Sequence, residues 1–246
     1  MISEARAASA PPRWGSFYSL YYEGVYLNRA DTVAGLIVPR LGIKDSETGV
    51  ELYGVMRAGM DSRTFLEESD QIYSDNFLFL GVGVDQASVF PGVRLSFQIG
   101  HTMDLNPKIH LGGFDFRTGF MTYHEMSWVP RKLRSEYYSE GFYVHRYRNF
   151  LGSFQVRTFA PWIGVPGSPY EGMELGPELR LQINGDTEGY DYNRFVEAQA
   201  GIRLEYHTPL AIALHVLEVF GRRLEIDSPV GAYTDFRVLL TGMFGI

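Results

Sequence analysis

The chain of 246 residues lacks the features that define several common protein classes. It has no cysteine, so disulfide bridges and thiolate metal sites are excluded. No run of about 18 apolar residues occurs, which excludes a helical membrane protein. Basic residues form no cluster and the net charge is −7, which argues against nucleic acid as a partner.

Catalytic and cofactor motifs are missing as well. The six histidines, at positions 101, 110, 124, 145, 207 and 215, show no metal-binding spacing such as HExxH, and no GxSxG or GxGxxG pattern occurs. We interpret His145 and His207 as polar residues at strand ends. The sequence therefore predicts no enzyme, no metal site and no cofactor, and a lipid-modifying enzyme is the less favoured alternative.

Residues 1–13 are rich in Ala, Ser and Pro. They show neither the basic region nor the apolar region of a signal peptide. We expect a disordered arm here, and a mature or altered start if the protein is exported.

Aromatic residues and glycine are abundant: 15% of the chain is aromatic, with 16 Tyr and 17 Phe, and there are 27 Gly. This composition is typical of β-barrels. Twelve segments predict strands longer than the roughly 5–6 residues usual in soluble sheets and close to the roughly 9–11 that cross a bilayer. They are 14–28, 32–44, 48–60, 72–84, 91–103, 111–122, 134–147, 149–161, 171–183, 191–206, 210–222 and 232–246. Pro39 and Pro177 lie inside two of them and predict bulges or irregular pairing.

Apolar and polar residues alternate along these segments, most clearly in Val93–Ile99, Met173–Ile183 and Phe195–Tyr206. A soluble antiparallel sheet would show the same alternation, so a soluble sandwich, propeller or lipocalin-type barrel is an alternative. In a membrane barrel the apolar face meets lipid and the polar face lines a hydrated bore. Residues 211–220 are apolar on both faces and also fit a buried helix, but their place in an internal repeat favours a strand.

Two observations favour the membrane barrel. The segments are long, and charges of both signs share one face in their middles, as in Asp115 with Arg117 and Asp235 with Arg237. Residues i and i+2 of a strand share a face, so each Asp and Arg should be neighbours, with the intervening Phe on the other face. Such ion pairs suit a wet interior, because a dry one would cost several kcal/mol per ion.

Aromatic residues crowd the predicted strand ends, which is typical of the interfacial girdles of membrane barrels. The two clearest sets are Trp14, Phe17, Tyr18, Tyr21, Tyr22 and Tyr26, and Tyr137, Tyr138, Tyr143 and Tyr147.

An internal repeat divides the chain. Asp-Phe-Arg occurs at 115–117 and at 235–237, and other residues recur in order at offsets of 117 or 123 positions. The recurring pairs are Glu23 and Glu140, Arg40 and Arg157, Glu51 and Glu174, and Arg57 and Arg180. Such sustained offsets predict two copies of one set of strands. We therefore predict an all-β fold, a closed antiparallel transmembrane β-barrel of about 12 strands spanning residues 14–246, with two six-strand halves at about 14–130 and 131–246.

Three stretches carry a family resemblance: Tyr138–Arg146, Tyr190–Arg203 and Tyr233–Leu240. They resemble the C-terminal barrel of exopolysaccharide-export and phage-adsorption outer-membrane proteins, over mainly residues 134–246. The resemblance implies the outer membrane of a Gram-negative bacterium, with outer-membrane lipid, the barrel-assembly machinery and a periplasmic protein as expected partners.

The expected function depends on the bore. About twelve strands enclose more space than the eight-stranded barrels filled by side chains and less than the 16–18-stranded porins, which predicts a narrow polar channel or a partly plugged barrel. We predict a channel, with saccharide or exopolysaccharide as its hypothetical cargo, and a non-conducting barrel that anchors a partner complex as the alternative. The residues expected to line the bore are Glu23, Arg40, Glu51, Arg57, Arg94, Asp115, Arg117, Glu140, Arg157, Glu174, Arg180, Glu197, Arg203, Asp235 and Arg237. They fit equally a set of mutually neutralising wall residues that bind no ligand.

Overall fold

The structure, a computed structural model, describes residues 13–28, 31–62, 76–87, 90, 92–105, 112–126, 133–164, 172–188, 194–207, 210–223 and 231–245. Strands occupy most of these ranges, and a short 3-10 helix lies at His145–Tyr147. The strands are β1 Trp14–Leu27, β2 Thr32–Asp45, β3 Glu51–Asp61, β4 Phe77–Ala87, β5 Val93–Asp104, β6 Gly113–Glu125, β7 Arg134–Val144, β8 Asn149–Phe159, β9 Ile163–Gly164, β10 Met173–Asp186, β11 Phe195–His207, β12 Leu210–Arg223 and β13 Ala232–Gly245. Over the described ranges, no helix is both long enough and apolar enough to cross a membrane.

The strands form one closed antiparallel sheet. Each long strand pairs with the long strands before and after it, and the first strand pairs with the last, from Ser19 opposite Gly245 to Leu27 opposite Arg237. β9 has two residues and continues the edge of β8 along β10. The ring therefore has twelve long strands, and the predicted closed antiparallel barrel is confirmed.

Each of the twelve predicted segments overlaps one long strand. The segment at 211–220, which also fitted a helix, lies inside β12, where hydrogen-bonded partners flank it on both sides. The segment at 134–147 is wrong in its last three residues. The strand ends at Val144 because the chain turns through the 3-10 helix, and Arg148 then adopts a left-handed φ of 53°.

Both prolines interrupt strand pairing, as predicted. Pairing of β2 with β3 stops at Ile37 and resumes at Arg40, which leaves Pro39 outside this ladder, although it still pairs with Leu20 on β1. At Pro177 the partner of β10 changes from β8 to β9, and residues 160–162 stand opposite only residues 176–177. A proline has no N–H to donate, so the sheet forms an irregular stretch or a bulge at these points.

Side chains alternate between an apolar outer face and a largely polar inner face. On β10, Leu179 and Leu181 are 62% and 44% exposed, whereas Glu178 and Arg180 are 1% and 7% exposed. The buried set faces inward, because its members contact side chains of strands that are not their neighbours, which is possible only on the concave side of a barrel.

The inner face of β12 departs from this pattern. Leu217 and Val219 point inward and are almost completely buried. Elsewhere in the interior Val38, Tyr53, Val55 and Phe79 pack into a buried cluster. Apolar side chains therefore form part of the inner wall beside the charged residues that the sequence predicts there, and the wet bore stays a prediction.

The two halves of the ring contain six long strands each, β1 to β6 and then β7, β8 and β10 to β13, separated by residues 126–133. The residues that recur in the sequence lie on matching strands: Glu23 and Glu140 on the first of each half, Arg40 and Arg157 on the second, Glu51, Arg57, Glu174 and Arg180 on the third, and the two Asp-Phe-Arg tripeptides on the sixth. The division into two repeated halves stays a prediction. The predicted disordered arm covers residues 1–13, of which residues 1–12 lie outside the described residues.

Substitution of Gly201 tests the register of β11 against β12. A Cβ atom at this position would overlap the backbone of Val216 and Leu217. Gly201→Ala should therefore lower the free energy of unfolding by about 1–3 kcal/mol, because the sheet must shift to accept the methyl group. At Gly185 an added Cβ meets nothing within 4 Å, and Gly185→Ala is the matched control. Urea unfolding followed by tryptophan fluorescence measures both, and equal midpoints for the two variants would contradict the register.

Candidate functional site

The candidate site is the interior of the barrel, because the charged and polar side chains of the strands collect there. Contacts that skip strands define it: Arg94 on β5 reaches Glu51 on β3 at 2.6 Å, and Arg134 on β7 reaches Glu205 on β11 at 2.7 Å. We call the end of the barrel where β1 begins and β13 ends the terminal end, and the opposite end the distal end. Ion-pair clusters lie at both ends.

The first cluster surrounds Glu51 at the terminal end. Its carboxylate contacts Arg40 at 3.3 Å and Arg94 at 2.6 Å. Asp85 on β4 pairs with Arg40 at 2.8 Å and accepts a hydrogen bond from the hydroxyl of Tyr53. The guanidinium of Arg40 also lies 3.7 Å from the centre of the Tyr53 ring, a cation–π contact. Opposite charges thus tie four neighbouring strands together, and the two carboxylates among them are buried.

The second cluster surrounds Asp115 at the distal end. Its buried carboxylate accepts hydrogen bonds from Arg117 at 3.2 Å, from Thr102 at 3.0 Å and from the backbone N–H of Arg146 at 3.1 Å. The guanidinium groups of Arg117 and Arg146 both lie within about 5 Å of the Phe77 ring centre. The prediction that Asp115 and Arg117 are neighbours on one face of the strand is confirmed.

The third cluster lies at the terminal end of the second half. Arg203 contacts Glu136 on β7 at 3.1 Å and Glu205 at 2.9 Å. Arg134 joins Glu174 at 2.6 Å and Glu205 at 2.7 Å. A cavity of about 160 Å³ opens between these side chains and the Phe159 ring.

His215 on β12 extends this cluster into the barrel. Its Nδ1 lies 2.6 Å from a carboxylate oxygen of Glu178, and its Nε2 lies 3.4 Å from the hydroxyl of Thr241. A hydroxyl, an imidazole and a carboxylate in this order resemble a hydrolytic triad. The side chains of His215 and Glu178 are nevertheless both completely buried, so a substrate has no access to them. The imidazole instead supplies a hydrogen bond to a buried carboxylate, which also pairs with Arg180 at 3.3 Å.

The fourth cluster surrounds Glu197 at the distal end. Arg237 donates to both carboxylate oxygens, at 2.6 and 2.7 Å, and the Tyr233 hydroxyl donates at 2.6 Å. Arg237 also pairs with Asp235 at 2.9 Å, as the second Asp-Phe-Arg tripeptide predicts. This is a bidentate, charge-assisted contact between β11 and β13, two strands that do not touch through their backbones.

Between the clusters, the middle of the bore contains two matching Tyr-x-Glu pairs. Tyr21 donates to Glu23 on β1, and Tyr138 donates to Glu140 on β7, six strands away around the ring. Tyr21 lies within electrostatic range of Glu140 and Arg157, so the two pairs approach each other across the bore. Tyr21 is 36% exposed, which means that water reaches this level.

A neutral wall completes the middle of the bore. The amide of Gln155 on β8 donates to Gln182 on β10 at 3.1 Å, and Gln182 donates in turn to Asn184 at 3.0 Å. Ser153 and Gln199 join the same ladder at 3.1 and 3.4 Å. This wall offers amide and hydroxyl groups instead of ions.

The fifteen residues predicted to line the bore all lie on inward-facing positions of their strands. The structure brings eleven of them into the four clusters: Arg40, Glu51, Arg94, Asp115, Arg117, Glu174, Arg180, Glu197, Arg203, Asp235 and Arg237. Glu23, Glu140, Arg57 and Arg157 lie between the clusters, where Arg157 approaches Glu136 at 4.0 Å and Arg57 is within electrostatic range of Glu140. That these positions line a conducting bore stays a prediction.

Sequence reasoning missed several interior partners. The inward position of Glu178 and Glu205 could have been predicted, since both belong to the polar faces of alternating segments. The sequence did not indicate Asp85 and His215 as interior partners, because each lies in an otherwise apolar or glycine-rich stretch. Only the pairing of the strands places them beside their partners.

The aromatic girdle is present in part. Tyr18 and Tyr22 point outward, where Tyr18 packs on Phe244 and Tyr22 covers Gly242. Phe17 and Tyr21 point inward instead, as does Tyr138, so the expectation that these residues belong to a girdle is wrong for them. The reason is the strand period of two, which sends neighbouring aromatic residues to opposite faces.

Comparison with known proteins gives structural neighbours alone. No protein-family model and no curated protein matches the chain. Solved structures similar to it include the beta domain of the Bordetella autotransporter BrkA (13% identity, 94% of this chain and 99% of that one, TM-score 0.43), LpxR from Salmonella typhimurium (10%, 91% and 99%, 0.43) and an outer-membrane channel from Pseudomonas putida F1 (13%, 96% and 97%, 0.40). These TM-scores lie below 0.5, so the architecture rests on the strand pairing of the chain itself.

Removal of Glu197 tests the fourth cluster. Glu197→Ala should lower the free energy of unfolding by about 3–5 kcal/mol, because it leaves Arg237 buried with an incomplete set of partners. The double variant Glu197→Leu with Arg237→Leu should recover most of the loss, since it removes both charges. Urea unfolding in detergent measures both.

The matched control for this test is Glu23→Ala. Glu23 accepts a hydrogen bond from Tyr21 in the partly hydrated middle of the bore, so its loss should cost about 0.5–1.5 kcal/mol. A loss at Glu197 no larger than the loss at Glu23 would contradict the role of the buried cluster.

Proposed function

We propose that this chain is a β-barrel of the outer membrane of a Gram-negative bacterium. The support is its apolar outer face together with its closed pairing, since closure satisfies the backbone hydrogen bonds that hydrocarbon cannot. In this setting outer-membrane lipid covers the outer face, the barrel-assembly machinery inserts the chain, and a periplasmic protein is a further partner.

The proposed activity is the passage of small hydrated solutes through a narrow polar bore. The observation that carries this proposal is the middle of the bore, where the Tyr21–Glu23 and Tyr138–Glu140 pairs face each other and Tyr21 is open to water. Rings of polar and charged side chains at a constriction select solutes by charge and hydrogen bonding. The ion-pair clusters at both ends narrow the path toward this level.

Neutral saccharides are the proposed class of solute. The ladder of Gln155, Gln182 and Asn184 presents amide donors and acceptors along one wall, and Tyr21 and Tyr138 present rings and hydroxyl groups toward the same space. Sugar hydroxyl groups can replace their hydrogen bonds to water with hydrogen bonds to such groups at little cost in free energy. An ion would lose part of its hydration shell and would find no opposite charge on this wall.

A non-conducting barrel that anchors a partner complex is the second candidate. The observation that favours it is the burial of the carboxylates of Glu51, Glu205 and Glu197, because salt bridges that link these groups to non-adjacent strands also brace a closed wall. An enzyme is the least favoured, since the His215 site is closed to substrate. That the chain is not an enzyme stays a prediction.

Widening the middle of the bore tests the passage. The double variant Tyr21→Ala with Tyr138→Ala should conduct more current per open channel in planar bilayers than the parent, because two side chains leave the constriction. Tyr18→Ala with Tyr22→Ala, which removes two outward tyrosines from β1, is the matched control and should leave the conductance unchanged.

The two candidates give different results. The parent and the widened variant must both show the heat-dependent gel migration of a folded barrel. If neither of them then conducts current, the result would contradict passage and favour the anchoring barrel. Liposome swelling with a neutral disaccharide and with a charged sugar of similar size separates the solutes. Faster entry of the neutral sugar is expected, and faster entry of the charged one would contradict the saccharide proposal.

A further inference from the structure

Away from the strand ends, two ionisable side chains interrupt the apolar outer face. His101 on β5 and Glu218 on β12 point outward and are exposed. Their cross-strand neighbours are Leu80 and Phe114 for His101, and Ala200 and Phe236 for Glu218. Within the described residues, neither side chain has a hydrogen bond or an ion pair. A charged group on the lipid face of a barrel is unfavourable, so a carboxylate in this place needs a partner from outside the barrel.

The two residues occupy matching places in the ring. Glu218 follows His101 by 117 positions, one of the offsets at which residues recur in the sequence (218 − 101 = 117). Each is the ninth residue of its strand, and both strands run from the terminal end, so the two side chains lie at a similar depth. β5 and β12 are six strands apart in a ring of twelve long strands, which places them on opposite sides of the barrel.

We propose that this chain packs against further copies of itself in the membrane, with Glu218 of one copy facing His101 of the next. Barrels in one membrane share one orientation, so only groups at the same depth can meet. Glu218 and His101 satisfy this condition and are chemically complementary, because an imidazole donates an N–H to a carboxylate in its neutral and in its protonated form. The contact removes an unpaired carboxylate from lipid.

The surfaces around the two residues are complementary in shape as well. Beside Glu218 the outer face is recessed at Ala198 and Ala200, within a groove of about 310 Å³ that is mostly apolar and is bounded by Leu179 and Phe220. Around His101 the face is raised, since Phe114 and Val82 are 61% and 59% exposed. A raised apolar surface against a recessed one permits the close packing that a buried polar contact requires.

The placement of the two surfaces determines the kind of assembly. Each barrel uses two different patches, so the contact is heterologous and not two-fold symmetric. Because the patches lie on opposite sides of the ring, successive contacts do not close into a small ring and instead produce a row of barrels.

Cross-linking of introduced cysteines tests this row, and the natural chain contributes no thiol. The full-length double variant Met103→Cys with Phe220→Cys, which keeps His101 and Glu218, should give a ladder of dimers, trimers and larger species on denaturing gels after reconstitution in lipid vesicles and oxidation. Each single variant should stay largely monomeric. Met103→Cys with Tyr22→Cys is the matched control, since Tyr22 also points outward but lies on β1, outside both proposed patches, and it should give no ladder.

Charge exchange supplies a second measurement. In a chain that carries cysteines at the neighbouring outward positions Met103 and Phe220, Glu218→Lys should reduce the cross-linked fraction about tenfold. Adding His101→Glu should restore it. A ladder no stronger than the Tyr22 control, dimers from the Phe220→Cys single variant alone, or no recovery on charge exchange in variants that migrate as folded barrels would each overturn the proposal. The first result would indicate that lipid, and not a second copy, covers Glu218.

Discussion

Pairing of the first strand with the last is the constraint on which the molecule depends. Once β1 and β13 join, every strand has a partner on each side, and the sheet acquires a concave face that water can reach only through its two ends. Charges placed on that face lose much of their hydration, so each must find an opposite charge or a hydrogen bond. The four ion-pair clusters are the result of closure as much as of the residues themselves.

The interior combines two kinds of wall. Near both ends, acids such as Glu51 and Glu197 are almost completely buried and are held by arginines from non-adjacent strands. In the middle, Tyr21 is 36% exposed, and the amide ladder is half-buried except at Gln199, which is buried. This combination of braced ends and a less tightly paired middle is the basis of the two proposed functions, narrow passage and anchoring.

The sequence predicted most of the architecture, because its main signal is the alternation of faces. The order of residues alone predicts that Leu179 and Leu181 lie on one face and Glu178 and Arg180 on the other. It also predicts the pairing of Asp115 with Arg117, two residues further along the strand. The sequence did not predict which residues contact each other across the bore. The contact of His215 with Glu178 depends on a curved sheet that brings β10 and β12 together, and the inward turn of Phe17 and Tyr21 depends on the register that the closed ring imposes.

The orientation of the two faces can be measured directly with spin labels placed one at a time along β10 in lipid vesicles. We expect labels at Leu179, Leu181 and Ile183 to be reached readily by oxygen dissolved in lipid, whereas labels at Gln182 and Asn184 should be shielded from it. A period of two with this phase supports an apolar face in hydrocarbon and a polar bore. The opposite phase, or labels at all five positions shielded from oxygen, would contradict the account.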